Sequence, residues 1–215
     1  MLATKPFRET QMKLYMHPFS QHCRRVLMLC NELGLEVDRS FVALDRGEHK
    51  TEDFLQLSRT GLVPVLVDGD LRLAESHAIM RYLSAKSCDT MFYPAGARAR
   101  AHADMWLDWN HTRLNPPIQT IAIQQLVMKE KADQSIIAAA HNQTREALDR
   151  LDNALSSGET IGGAITLGDL SIASTLALYD LVGGSALPYL SVSAWFEKIK
   201  RRPSFQATTP EALRL

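Results

Sequence analysis

Hydrophobic and polar positions change period several times along the first third of the chain. Lys13 to Met16 alternates as a short strand, and from Ser20 to Leu33 the residues Cys23, Val26, Leu27, Cys30 and Leu33 fall on one helical face, with Gly34 as the natural stop. Val37 to Phe41 reads as a second strand. Thr51 to Ser58 reads as a short helix with Phe54 and Leu55 turned inward. Val65 to Val67 and Leu71 to Leu73 are apolar runs joined by Asp68-Gly69-Asp70, a tight hairpin pattern, and Glu75 to Leu83 is a third helix. The order, a crossover unit followed by a hairpin and a helix, is that of a thioredoxin-like α/β domain. Met1 to Gln11 is mixed and aperiodic and predicts an irregular leader.

The pattern breaks between Ser87 and Ala97, around Pro94 and Gly96, and beyond it strand signals nearly vanish. Helices are expected from Arg98 to about Lys129, from Ser135 to Leu155, from Leu167 to Val182 and from Val192 to Lys200, the last ending before Pro203. Pro116-Pro117 predicts a kink or break in the first of these, because proline removes a helical donor and clashes with the preceding turn. The division that follows is a leader over 1–11, a thioredoxin-like domain over 12–86, a linker over 87–97 and an all-α helical bundle over 98–215. Thr166-Leu167-Gly168-Asp169 has capping-box spacing at the start of one of these helices, a device for folding rather than chemistry.

Composition narrows the function classes. The 24 Lys and Arg balance 24 Asp and Glu, so no overall field attracts nucleic acid or an anionic membrane. No apolar stretch approaches the roughly 20 residues a spanning helix needs, and the first residues lack a signal-peptide core, so a soluble cytoplasmic protein is expected. The 3 cysteines, Cys23, Cys30 and Cys88, lack metal or redox spacing and are expected as reduced thiols.

Four ordered motifs carry a resemblance. Ser20-Gln21-His22-Cys23-Arg24 after the first strand, Gly47-Glu48-His49-Lys50, Gly61-Leu62-Val63-Pro64-Val65-Leu66 and Ala74-Glu75-Ser76 are similar to those of glutathione transferases, in particular the theta-like, serine-type group. The resemblance covers Lys13 to Leu83 continuously, and the helical remainder agrees in layout. It implies glutathione as co-substrate, no metal, and a homodimer. Taken alone, Ser20 is a plain helix cap; the resemblance implies that its hydroxyl also holds the glutathione thiolate. Lowering a thiol pKa by about two units takes about 2.7 kcal/mol of preferential thiolate stabilisation, which one hydroxyl donor and the positive end of a helix supply.

The same resemblance implies a cis Val63–Pro64 bond whose Val63 backbone pairs with the tripeptide, with Ser76 and Glu75 at the γ-glutamyl end and His49 and Lys50 at the glycyl carboxylate. Leu62 departs from the pattern, since many relatives carry a polar residue there. Phe19, Trp109 and Arg113 are the candidates for the electrophile side, with Trp106, Trp109 and Arg113 sharing one face of the helix expected to border the cleft. Relatives with such an arginine carry it two residues later, where this chain has Asn115. Two rival readings remain at this point: a non-catalytic binding module on the same fold, and a thiol transferase using Cys23 as nucleophile, although Cys23 shares the apolar face of its helix. His17 and His22 flank the site and are expected as exposed turn histidines.

Overall fold

The structure, a computed structural model, describes residues 12–156 and 164–210. The leader expected over 1–11 lies outside the described residues. Strands β1 (Lys13–Met16), β2 (Asp38–Phe41), β3 (Val65–Asp68) and β4 (Leu71–Ala74) form one sheet in the order β2-β1-β3-β4. β1 pairs parallel with β2 and antiparallel with β3, and β3 pairs antiparallel with β4 through a two-residue turn at Gly69-Asp70, with Gly69 at φ 62°. Helices α1 (Gln21–Leu33) and α3 (Ser76–Lys86) share the main core with the sheet residues Leu14 and Leu66. The short α2 (Glu52–Leu57) joins a second, smaller cluster, where Phe54 packs with Val42, Val65 and Tyr15. Leu55, expected to point inward beside Phe54, is exposed, because a helix this short buries only one side of a single turn.

The second half is helical: α4 (Ala97–Trp109), α5 (Asn115–Ala122), α6 (Gln134–Leu155), α7 (Leu167–Leu181), α8 (Leu190–Lys200) and α9 (Pro203–Ala207). Between α4 and α5 the chain makes a π-helical turn at Asn110–Leu114, where the Asn115 amide donates to the Asn110 carbonyl. This turn resolves the proline pair without a break. Pro116 and Pro117 fall in the first turn of α5, where a missing N–H costs least, and the carbonyls they would otherwise pair, those of Thr112 and Arg113, belong to exposed residues. Pro203 likewise starts a further helix, α9, rather than ending the fold.

Two helices are buried nearly all round. α7 is apolar on most sides and buried continuously from Leu167 to Leu176. α1 packs against α3, α7 and α9, and one continuous cluster runs from Leu14 and Val26 through Leu107 and Ile118 to Leu170 and Phe196. Polar clamps reinforce the joint. Arg202 donates to both oxygens of Glu32 at 2.6 and 2.7 Å, and Ser204 donates to the same carboxylate at 2.5 Å. The Arg24 guanidinium lies 4.0 Å from the Phe205 ring centroid and donates to the Phe205 carbonyl and Thr209 hydroxyl.

The capping box at Thr166 forms. Asp169 is fully buried, accepts from the Thr166 amide at 2.8 Å through Oδ2 and from Trp195 Nε1 at 3.0 Å through Oδ1, and so ties α7 to α8. Gly168 lets α7 approach α4: a Cβ there would stand 2.8 Å from Trp106 Cβ. Replacing Asp169 by Ala should cost about 2–4 kcal/mol, a lost cap plus buried donors left unpaired. Chemical denaturation checks this, and an unchanged midpoint would contradict the structural role.

Candidate active site

The site is built where two helices begin beside the sheet. Ser20 is the N-cap of α1, with φ −81° and ψ 115°, and its Oγ accepts from the Cys23 amide at 3.3 Å. A serine hydroxyl has two lone pairs and one proton, so accepting from an amide leaves the O–H able to donate elsewhere. Capping and donation to a ligand are therefore compatible at this one residue. Ser20 shares a small recess of about 20 Å³ with Phe19, Arg24 and the α7 residues Ser174 and Leu178; Phe19 is 47% exposed.

A separate cleft of about 350 Å³, which Ser20 does not line, is formed by Leu62, Val63, Pro64, Glu75 and Ser76 from the α/β half, His22 from α1, and His111, Asn115 and Gln119 from the helical half. The Val63–Pro64 bond is cis. Ser76 is buried in the first turn of α3, and Glu75, immediately before it, is held at φ 68° and ψ 110°. A non-glycine residue at such a φ costs about 1–3 kcal/mol and persists only where the surroundings enforce it, a pattern concentrated at ligand sites. His49 is half-buried in a 3-10 turn at Glu48–Lys50 with its Nδ1 unpartnered and buried, whereas Lys50 is exposed; neither is among the residues lining this cleft.

The sequence singled out Trp109 and Arg113 as cleft-facing. They do share a face, but that face meets α6: they line a separate cleft of about 600 Å³ with Gln143, Glu146 and Arg150. His111, Asn115 and Gln119 take the position facing Glu75 and Ser76 instead. His22 is likewise a wall of the cleft rather than an exposed turn residue. Spacing of four along one helix, at His111, Asn115 and Gln119, was the available sign of this second face.

Behind the cleft lies a buried polar network. Arg25 is 0% exposed, and its guanidinium donates to Ser174 Oγ at 3.1 Å, Thr175 Oγ1 at 3.1 Å, Gln21 Oε1 at 3.1 Å and His77 Nε2 at 2.8 Å. Arginine only donates, so His77 Nε2 accepts and the His77 proton sits on Nδ1. Ser171 Oγ is 2.7 Å from the same nitrogen and accepts from Asn110 Nδ2 at 2.8 Å; the Ser171 hydroxyl and Arg25 share the one lone pair of His77 Nε2. Burial, with the Arg25 charge next, holds His77 down to about 2, and the same two causes hold His22 to about 3. Both imidazoles are neutral near pH 7.

The protein-family model described as "Glutathione S-transferase, N-terminal domain" matches residues 19–86, and "Glutathione S-transferase, C-terminal domain" matches 114–203. Glutathione S-transferase 3 of Zea mays is 34% identical over 206 residues, 92% of each chain. The chain belongs to the glutathione S-transferase family. Among solved structures, glutathione transferase F7 of Populus trichocarpa superposes with a TM-score of 0.85 at 29% identity, over 95% of this chain and 100% of that one. The theta class enzyme of Xanthomonas axonopodis pv. citri, solved with glutathione bound, superposes at 0.88 with 28% identity and the same coverage. Nothing in these likenesses favours a non-catalytic module.

The geometry of the transferase also decides against the cysteine reading. Cys23 is 0% exposed, and burial pushes its thiol up to about 11 despite the bonds from Ser20 and His17. At pH 7 only about one in 10⁴ such thiols is ionised, too few for a nucleophile.

The two half-buried histidines, His22 and His77, make stability pH-dependent. Their folded pKa values lie below the unfolded value of 6.5, so the folded state refuses a proton that the unfolded state takes up; stability is complete above 6.5 and is lost as pH falls. One such histidine weakens folding by about 2 kcal/mol between pH 7 and pH 5. Denaturation of wild type and His77→Asn at both pH values should show a smaller pH-dependent loss in the variant; equal losses would mean that His77 protonates in the folded state.

Proposed function

We propose that this transferase is serine-type and theta-like: Ser20 stabilises the thiolate of glutathione, which then attacks a hydrophobic electrophile. The observation that carries this is the Ser20 hydroxyl at the start of α1, which accepts the Cys23 amide and keeps its proton for a sulfur beside the positive end of the helix. Conjugation, halide displacement and peroxide reduction all begin from that thiolate.

In this reading residues 12–86 bind glutathione and residues 98–215 supply the electrophile side and the dimer contacts, with 87–97 between them. The tripeptide backbone pairs with Val63 beside Pro64, the γ-glutamyl carboxylate takes the buried Ser76 at the start of α3, and Glu75 meets the amino group. His49 and Lys50 serve the glycyl carboxylate. The exposed Phe19 and the cleft-facing His111 border the electrophile, a role we withdraw from Trp109 and Arg113 because they line the cleft against α6. The dimer and a cytoplasmic location follow the habit of the family; among the described residues no helix is long and apolar enough to cross a membrane.

Turnover of glutathione with an aromatic halide and with cumene hydroperoxide tests the assignment. Ser20→Ala should lower kcat/KM by about 10²-fold or more, a loss of at least about 2.7 kcal/mol of transition-state stabilisation, while Cys23→Ala stays within a few fold of wild type. The reverse pattern would transfer the nucleophile to Cys23.

A further inference from the structure

The mechanism above leaves one fully buried charge without a task. Arg25 is wholly buried, and the side chains that bond it, Gln21, His77, Ser174 and Thr175, are all neutral. Burial lowers its pKa only to about 9, so it is a cation near neutrality. A buried charge without a countercharge is strongly disfavoured unless something in the working protein compensates it.

Among the described residues, the other titratable and charged groups around it do not supply that compensation. On α1 these are Cys23, whose thiol is protonated, and the neutral His22; on α3 they are the neutral His77 and the cation Arg81; on the π turn it is His111. From α7, Asp169 is engaged by Thr166 and Trp195, and Asp180 is coupled to Lys200, Glu197 and Arg24.

The hydrogen bonds leading away from Arg25 have a forced direction. Because the guanidinium only donates, Gln21 must present Oε1 to it, which turns Gln21 Nε2 toward Asn115 Oδ1 at 2.5 Å. Asn115 then offers Nδ2 to Gln119 Oε1 at 3.3 Å. His22 Nε2, 3.4 Å from that same oxygen, must donate to it. Every amide in the chain is oriented the same way, carbonyl toward the charge and NH2 away from it, and chains of this kind polarise each successive donor. Asn115, Gln119 and His22 all line the cleft.

We infer that Arg25 is a positioning residue whose charge, relayed through Gln21 and Asn115 to the NH2 of Gln119, favours the anionic form of glutathione in the cleft. It touches no substrate. The glutathione thiol releases its proton to water, and the uncompensated guanidinium gains a counter-anion across the amide chain. The inference rests on the reading that the cleft holds glutathione.

The test is an ultraviolet titration of the bound glutathione thiolate in wild type, Arg25→Met, Arg25→Lys, Gln119→Met and Ser20→Ala. A unit charge about 10 Å away through an effective dielectric of about 20 moves a pKa by about one unit, so Arg25→Met should raise the thiol by about that much and Arg25→Lys should restore it. Gln119→Met, at a half-buried position on the cleft wall that does not threaten folding, should raise it by about half a unit. Ser20→Ala should raise it by about one to two units.

A wild-type value in Arg25→Met with a shifted Ser20→Ala overturns this inference and leaves the serine reading intact. The opposite pair overturns the serine reading alone. A shift in Arg25→Met that Gln119→Met does not share, or a loss of glutathione binding that Arg25→Lys does not recover, overturns the relay. Should Arg25→Met fail to fold, Gln119→Met decides the matter by itself.

Discussion

Burial of α1 on both sides is the constraint on which the rest depends. The helix is packed between the sheet with α3 on one side and α7 with α9 on the other, so Val26, Leu29 and Cys30 belong to the same cluster as Leu170 and Phe205. A helix so enclosed has no freedom to rotate or slide, because interiors are close-packed and respond to sub-ångström shifts. Its N-terminus therefore sits at a fixed place relative to the Pro64 turn and the start of α3. In the proposed reading that fixity is what a weak donor such as a serine hydroxyl requires, since its contribution to a thiolate depends on distance and angle.

The same packing explains why the two halves act as one object at the site. The cleft takes Val63, Glu75 and Ser76 from the α/β half and His111, Asn115 and Gln119 from the helical half, and α1 contributes His22 between them. Glu32 with Arg202, and Arg24 with Phe205, close the joint at the far end of α1 and along its flank. The interior beneath the cleft is polar rather than greasy: hydroxyls of Ser171, Ser174 and Thr175 meet Arg25, Asn110 and His77. The network is satisfied on its donor side, since Asn110 Nδ2 reaches both Ser171 and Thr175, whereas the buried Asn110 Oδ1 has no partner.

Much of this was legible from the chain. Gly34 at the end of α1, the Asp68-Gly69-Asp70 hairpin and the Thr166–Asp169 box each act locally, through a positive φ or a nearby amide, and all three formed where their residues stand. Of the four motifs of the α/β half, the third and fourth bring Val63, Pro64, Glu75 and Ser76 to one cleft and the first adds His22, while Gly47-Glu48-His49-Lys50 stands outside it. The helical side of the cleft was harder to read. Spacing says which residues share a helix face, and Trp109 and Arg113 do share one, but it does not say which neighbour that face meets. Arg25 was invisible for a related reason: next to Arg24 in sequence, it differs only in pointing into the protein, and burial of a cation is decided by partners 52 to 150 residues away.

The π turn at Asn110–Leu114 holds one more residue than an α-turn would, since its closing bond runs from Asn115 to Asn110. Each residue of an α-helix advances the azimuth by about 100°. Shortening this turn by a single residue would return it to regular geometry and swing everything downstream, Asn115 and Gln119 included, to a different compass bearing, while α4 and its seat on α7 stayed as they are. The helical wall of the cleft, opposite Glu75 and Ser76, is thus addressed by chain length as well as by side-chain identity. One deletion there would leave Ser20, Pro64 and Ser76 where they are and exchange, all at once, the groups that look across the cleft at Pro64 and Ser76.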